Sequence, residues 1–351
     1  MSHISGHNIV LPDTVLRKHP EYIAELGGKR EFQPGGAVQL CWSNPGVQEA
    51  VAKMMASWWD KNPYIESIRF YPADNQRYCQ CDQCKAMGDV STRWQKFSAA
   101  IIAMVEKTHP GGKYMTYAYQ GYKAVPKTQP APFAYVGYTL YDASYRHLLS
   151  SGSKYNQLPV NEIEGWLNKG AHLGIRGYEY IIFKDAMFVP LVSWVVDEMS
   201  WIKRVGLIAY TSELPPYGSP RNALPENTYW NGSRMSLYAA AKAMWNTKLS
   251  ADSIVKDWCT TVYGPAAAPM TAYYWQMDSA WRKADGKISL YTNSPAPEVD
   301  KFLSPELFDR ANDYFTEART KIGLITDGEK RNRINEQITL ESKMLANWQK
   351  V

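Results

Sequence analysis

The sequence predicts an α/β fold, a β/α barrel of the TIM type followed by a C-terminal helical region. Three observations carry this expectation. Short apolar runs alternate with amphipathic stretches of helical period through the first two thirds of the chain, a pattern that implies parallel pairing. The strand-like runs close on polar and acidic residues, where barrel enzymes keep their chemistry. From about residue 230 the pattern is helical to the end.

The elements follow in order. Residues 7–11 (HNIVL) read as a strand. Residues 47–60 read as a helix after Ser43-Asn44-Pro45, with Ser43 or Asn44 as cap and Pro45 in the first turn. Residues 65–72 form the next strand, and 91–108 a helix with Ser91 or Thr92 near its start. Strands at 113–119 and 134–141 precede a helix at 161–172, a strand at 174–183, a helix at 191–204 and a strand at 205–212. A closed barrel has eight strands, and nothing after residue 213 supplies the two that are missing. The expected barrel therefore lacks its first two strands, or the chain begins downstream of them. The expected division is a partial barrel over 1–230, holding the active site, and a helical region over 231–351 packed on it. Residues 305–350 read as two long amphipathic helices joined near TDGEK, with Gly328 as a stop.

Composition narrows the function. The chain has 351 residues, 45% hydrophobic and 21% charged, as an ordinary globular protein has. It carries 24 Tyr and 13 Trp, whose flat apolar faces and polar edges suit stacking on sugars or bases. The 39 basic and 34 acidic residues give a net charge of +5. The basic residues are scattered, which argues against a nucleic-acid partner. No run approaches the roughly 20 apolar residues of a membrane span, and the first residues, MSHISGHN, lack the apolar core of a signal peptide. There is no GxSxG, HExxH, P-loop or GxGxxG motif.

Acids recur at the strand ends: Asp74-Asn75, Asp142, Glu179 and Glu213. Hydrolysis of a glycosidic bond needs one protonated carboxyl group at the leaving oxygen and one carboxylate at the anomeric side. Crowding in a partly dry pocket separates their pKa values. Asp74 as the acid and Glu213 as its partner form the leading catalytic pair, with Glu179 and Asp142 as alternates. Their separation, and hence retention or inversion, is not readable from sequence. Expected substrate contacts are His7 at the first strand, Asn75 beside Asp74, the platforms Tyr119, Tyr180 and Trp230, and Arg234, which would meet Glu213 or a substrate carboxylate. The rival expectation is a non-catalytic carbohydrate-binding or structural domain.

Cys79, Cys81 and Cys84 (CQCDQC) offer three thiolates on one loop. A structural zinc takes four ligands, and Cys41 or a histidine would complete the set. Free or disulfide-paired cysteines are the alternative. No catalytic cofactor is expected. Cys259 lies in a helical run and reads as core.

The ordered motifs resemble a family, domain of unknown function 4838. HNIVLPDTVLRKHPEYIAELGGKR followed by QLCWSNPGVQ resembles its opening. Asp74-Asn75 followed by Cys79, Cys81 and Cys84 resembles its strand end and CxCxxC segment. GIRGYEYIIF and IAYTSEL resemble two later strands, with Glu179 where the family strand usually carries aspartate, and Glu213 at the acidic end of the second. The segment from Tyr229 to Ala267 and the tail at 302–347 resemble its helices. The resemblance implies a carbohydrate-active barrel related to alpha-glucuronidases and beta-hexosaminidases. It further implies a glycan partner, a secreted, periplasmic or cell-surface location, and upstream strands in longer members.

Overall fold

The computed structural model describes residues 3–4, 9, 11–32, 38–178, 189–213, 228–292 and 301–348, with only the backbone at 3–4 and 228–231. Six strands lie in one sheet in chain order: β1 (His3–Ile4), β2 (Ser67–Arg69), β3 (Lys113–Ala118), β4 (Tyr135–Thr139), β5 (Leu173–Gly177) and β6 (Tyr210–Ser212). The first three pairings are parallel, with Ile68 opposite Tyr114 and Tyr117 opposite Gly137. Ascending bonds continue the pattern: Val136 N to His172 O, Ile208 N to Leu173 O, and Ile175 N to Ala209 O, each 2.9 Å. The strand count matches the alternation in the sequence. The order is linear, with β1 and β6 as edges, so the described residues form an open parallel sheet rather than a closed eight-stranded barrel.

The helices are α1 (Asp13–Lys18), α2 (Pro45–Lys61), α3 (Asp82–Ala86), α4 (Val90–Val105), α5 (Gln157–Asn168), α6 (Val192–Val205), α7 (Thr228–Trp245), α8 (Ala251–Tyr263), α9 (Ala267–Lys283), α10 (Pro305–Ile322) and α11 (Gly328–Asn347). Their ends follow local chemistry. Asn44 caps α2 by accepting from Gly46 N at 2.8 Å, and Pro45 fills the first helical position. Asp89 caps α4, accepting from Thr92 N at 2.8 Å, so Ser91 and Thr92 fall in its first turn. Gly206, at φ 86°, closes α6, so the following strand starts at Tyr210 rather than at 205. Gly328 opens α11 behind the Asp327 cap instead of stopping a helix. The first described strand pairs at His3–Ile4, and residues 7, 8 and 10 of the expected strand lie outside the described residues. Ile9 contributes a single bond, from its N to Tyr71 O at 2.9 Å.

The chain divides into two compact units. The first comprises 1–139, 161–175 and 207–209, and the second 140–160, 176–206 and 210–351.

In the first unit, Trp42, Phe70, Trp94, Phe97 and Tyr114 form a buried aromatic core. The Trp94 indole N–H donates to Thr116 Oγ1 at 3.2 Å, which satisfies the one polar atom such a residue buries. Gly174 in β5 sits where a Cβ would come within 2.6 Å of Ala209 O and 2.5 Å of the Tyr135 ring. Gly174→Ala is expected to cost about 1–3 kcal/mol by overpacking, measured by urea denaturation. An unchanged midpoint would show that β5 can move away from its neighbour.

Candidate metal centre and strand-end acids

Three segments of the first unit converge on the cysteines. Residues 22–24 and 39–41 run antiparallel, with Ala24 N donating to Gln39 O at 2.9 Å and Cys41 N to Tyr22 O at 2.8 Å. The loop at 79–84 joins them, with Gln80 N donating to Glu25 O at 2.7 Å. Cys41, Cys79 and Cys84 are buried and Cys81 is partly buried. All four sulfurs lie within 4.8 Å of one another. Cys41 Sγ is 3.7 Å from Cys81 Sγ and 3.8 Å from Cys84 Sγ. The edge of a tetrahedron with metal–sulfur bonds of about 2.3 Å is about 3.8 Å, so this set fits a tetrahedral metal. The spacing Cys41…Cys79-x-Cys81-x2-Cys84 thus brings four sulfurs together, with Cys41 as the fourth member of the group.

The surroundings suit thiolates. Glu25 N–H points at Cys79 Sγ at 3.2 Å and Cys84 N–H at Cys81 Sγ at 3.5 Å. Ser43 Oγ lies 3.1 Å from Cys84 Sγ and 3.5 Å from Cys41 Sγ. Hydrogen bonds from Cys79 and Cys84 pull the Cys41 thiol far below its ordinary value, and the same contacts push Cys84 and Cys79 up. Arg30 adds a cation: its guanidinium donates to Ile23 O and interacts with the Cys41 and Cys81 sulfurs. Cys259 lies apart in α8, and burial pushes its thiol up to about 12, as befits a core residue.

The strand ends of the first unit bring Asp74 and Gln120 together. Gln120 Nε2 donates to Asp74 Oδ1 at 3.0 Å. Gln120 has φ 45° and is the one non-glycine residue with positive φ among the described residues. Holding a side chain there costs about 1–3 kcal/mol. Tyr78 packs under this turn: a Cβ on Gly121 would meet its ring at 2.6 Å, and burial pushes its phenol up to about 12. Asn75 turns inward to its own loop, its Oδ1 accepting from Arg77 N at 2.9 Å. Tyr119 is half-buried, edge-on to Tyr122 at 6.3 Å.

In the second unit, Glu213 follows β6, and Arg176 of β5 donates a charge-assisted hydrogen bond to its Oε1. Glu213 N donates to Gly177 O at 3.1 Å, which fixes the backbone of the acid to β5. The Arg176 guanidinium lies 5.8 Å from the Tyr178 ring centre, and Tyr141 lies edge-on to Tyr178 at 6.5 Å and to Tyr291 at 5.4 Å. Asp142 is half-buried next to Tyr141.

Arg234 does not meet Glu213 or open toward a ligand. It lies among the helices, donating to Glu341 Oε1 at 3.1 Å, to Gln337 and to Tyr263 Oη at 3.2 Å. The α11 helix, over a hundred residues later in the chain, supplies Glu341 and Gln337. His7, Glu179 and Tyr180 lie outside the described residues, as does the side chain of Trp230. Gln120, Arg176 and Tyr178 are the residues that sequence reasoning passed over. The signal for Arg176 was present, since an arginine within an apolar strand needs a partner.

The fold and sites thus define a parallel α/β protein with a largely buried four-cysteine cluster able to hold a metal ion and with polar strand ends. The chain belongs to the family described as domain of unknown function DUF4838, whose sequence pattern matches residues 2–276. No curated protein matches it.

Proposed function

We propose that this chain is a glycoside hydrolase acting on a glycan, with a structural zinc in the four-cysteine centre. The observation that carries the catalytic reading is the strained Gln120, whose amide grips Asp74 at adjacent strand ends. Strain of this kind is retained where a side chain must be aimed. Asp74 faces the neutral amide of Gln120 and takes the role of acid at the leaving oxygen. Glu213 faces the Arg176 guanidinium and takes the role of carboxylate that attacks or activates water. Tyr119, beside Gln120 in the first unit, and Tyr141 and Tyr178 in the second unit each offer a flat face to a sugar ring. Four thiolates fill a tetrahedral zinc and leave no position for substrate, so the metal holds structure. A secreted, periplasmic or cell-surface location belongs to the same proposal.

Asp74→Asn and Glu213→Gln are each expected to lower sugar release by about 10²–10⁴-fold, with circular dichroism unchanged. The assay is a panel of aryl glycosides and oligosaccharides. Unaltered turnover in both variants removes the pair from the mechanism. A non-catalytic carbohydrate-binding role is the second reading, favoured by six strands among the described residues where a closed barrel has eight. Glycan binding without hydrolysis, surviving both substitutions, selects it.

A further inference from the structure

We propose that Gln39 is a positioning residue that ties the metal centre to Asp74, so that metal occupancy sets the geometry of the acid. The inference rests on the proposed roles of the zinc and of Asp74. Gln39 is buried, with 4% of its surface exposed. Its Nε2 donates to Ala73 O at 2.8 Å and to Asn75 O at 2.9 Å. One amide therefore holds the carbonyls on both sides of Asp74. Both partners are acceptors, so the amide orientation is dictated by chemistry.

Asp74 itself is the centre of a three-residue turn, closed by Asn75 N donating to Ala73 O at 2.7 Å. The turn carries the acid, the Gln39 amide spans it from behind, and Gln120 meets the carboxylate from the next strand.

The other end of the connection is the metal centre. Gln39 stands two residues before Cys41, on a segment pinned by the Ala24 N to Gln39 O and Cys41 N to Tyr22 O bonds. Two extended residues span about 6.6 Å and carry little slack. A shift of Cys41 on losing the metal moves Gln39 with it, and the carbonyls of Ala73 and Asn75 lose their shared donor. Cys79 lies on the loop leaving the same turn. The centre therefore holds both the clamp and the exit of the Asp74 turn.

The test uses the full chain and zinc alone as the probe. Amide hydrogen exchange is followed by mass spectrometry over residues 71–78, with zinc and after chelation. In the zinc-loaded wild type the turn is expected to exchange slowly, and chelation to accelerate it roughly tenfold or more, as loss of one buried and one partly buried hydrogen bond implies. Gln39→Met keeps the length of the side chain and removes the donor. It is expected to exchange fast with or without zinc while still binding one zinc per chain. Cys81→Ser keeps Gln39 and removes a ligand from the opposite loop, and it should behave as chelated wild type.

Slow exchange in zinc-loaded Gln39→Met overturns the clamp. Acceleration by chelation that is the same in Gln39→Met and wild type shows that the coupling bypasses Gln39 and also overturns it. A chain that takes up no zinc defeats the metal reading and with it the metal linkage. Absence of glycosidase activity defeats the proposed reaction alone, and leaves the exchange comparison to decide the clamp.

Discussion

Removal of the metal by a strong chelator at neutral pH is expected to lower the melting temperature of the first unit by roughly 10 °C or more. Cys41, Cys79, Cys81 and Cys84 join segments distant in sequence, so a metal shared among them would tie those segments together. Structural zinc is bound in small peptides with about 10–16 kcal/mol, comparable with the whole stability of many domains, about 5–15 kcal/mol. A loss of about 5 kcal/mol already moves the transition by about 10–20 °C for a unit of this size. Cys41→Ser is expected to reproduce the effect without chelator. Calorimetry beside metal analysis is the check, with one zinc per chain as the stoichiometry. A chain that purifies without metal and melts alike with and without chelator holds free thiols, and the proposal fails. Acid should weaken the site in the same direction, since each thiolate must be free of its proton to bind.

The second large effect concerns stability of the helical core. Arg234→Met is expected to destabilise the second unit by about 3–5 kcal/mol. Glu341 is 2% exposed, and its Oε1 collects Arg234, Tyr263 and Tyr274, the last at 2.7 Å. Taking away the guanidinium strands a buried carboxylate among phenols, whose own pKa values burial and Glu341 already push well up. The charge then has no counter-ion and no route to water. Replacing both partners together, Arg234→Met with Glu341→Leu, is expected to recover most of the loss, because apolar packing substitutes well for a buried pair. Denaturant titration followed by tryptophan fluorescence measures both. A cost for Arg234→Met below about 1 kcal/mol would mean that water reaches Glu341 and the network is solvated.

Much of the site was legible one residue type at a time. CQCDQC is readable as ligands because thiolates are rare and their spacing is short-range. Asp74 is readable as a strand-end acid because an apolar run stops just before it. Partners were not legible where they come from elsewhere in the chain. Cys41 was one candidate among several until the antiparallel contact of 22–24 with 39–41 brought it to the cluster. Arg234 reads in the sequence as a partner for Glu213 or a substrate carboxylate, because the sequence shows its own helix and not the α11 helix that covers it. Gln120 was passed over because a positive φ at a glutamine has no compositional mark. It is enforced by the packing of Tyr78 beneath Gly121 and by the hold on Asp74.

The sequence by itself determined the alternation of strand and helix, the count of six strands, the helical character beyond residue 230 and the presence of a thiolate cluster. These follow from periodicity, capping chemistry and local spacing, which act over a few residues. Only the tertiary structure decided which strands end the open sheet, that Cys41 completes the sulfur tetrahedron, that Arg176 faces Glu213, and that Gln39 brackets Asp74. Each of those is a meeting of groups tens of residues apart, set by how whole segments bury their apolar faces. No local pattern encodes that choice.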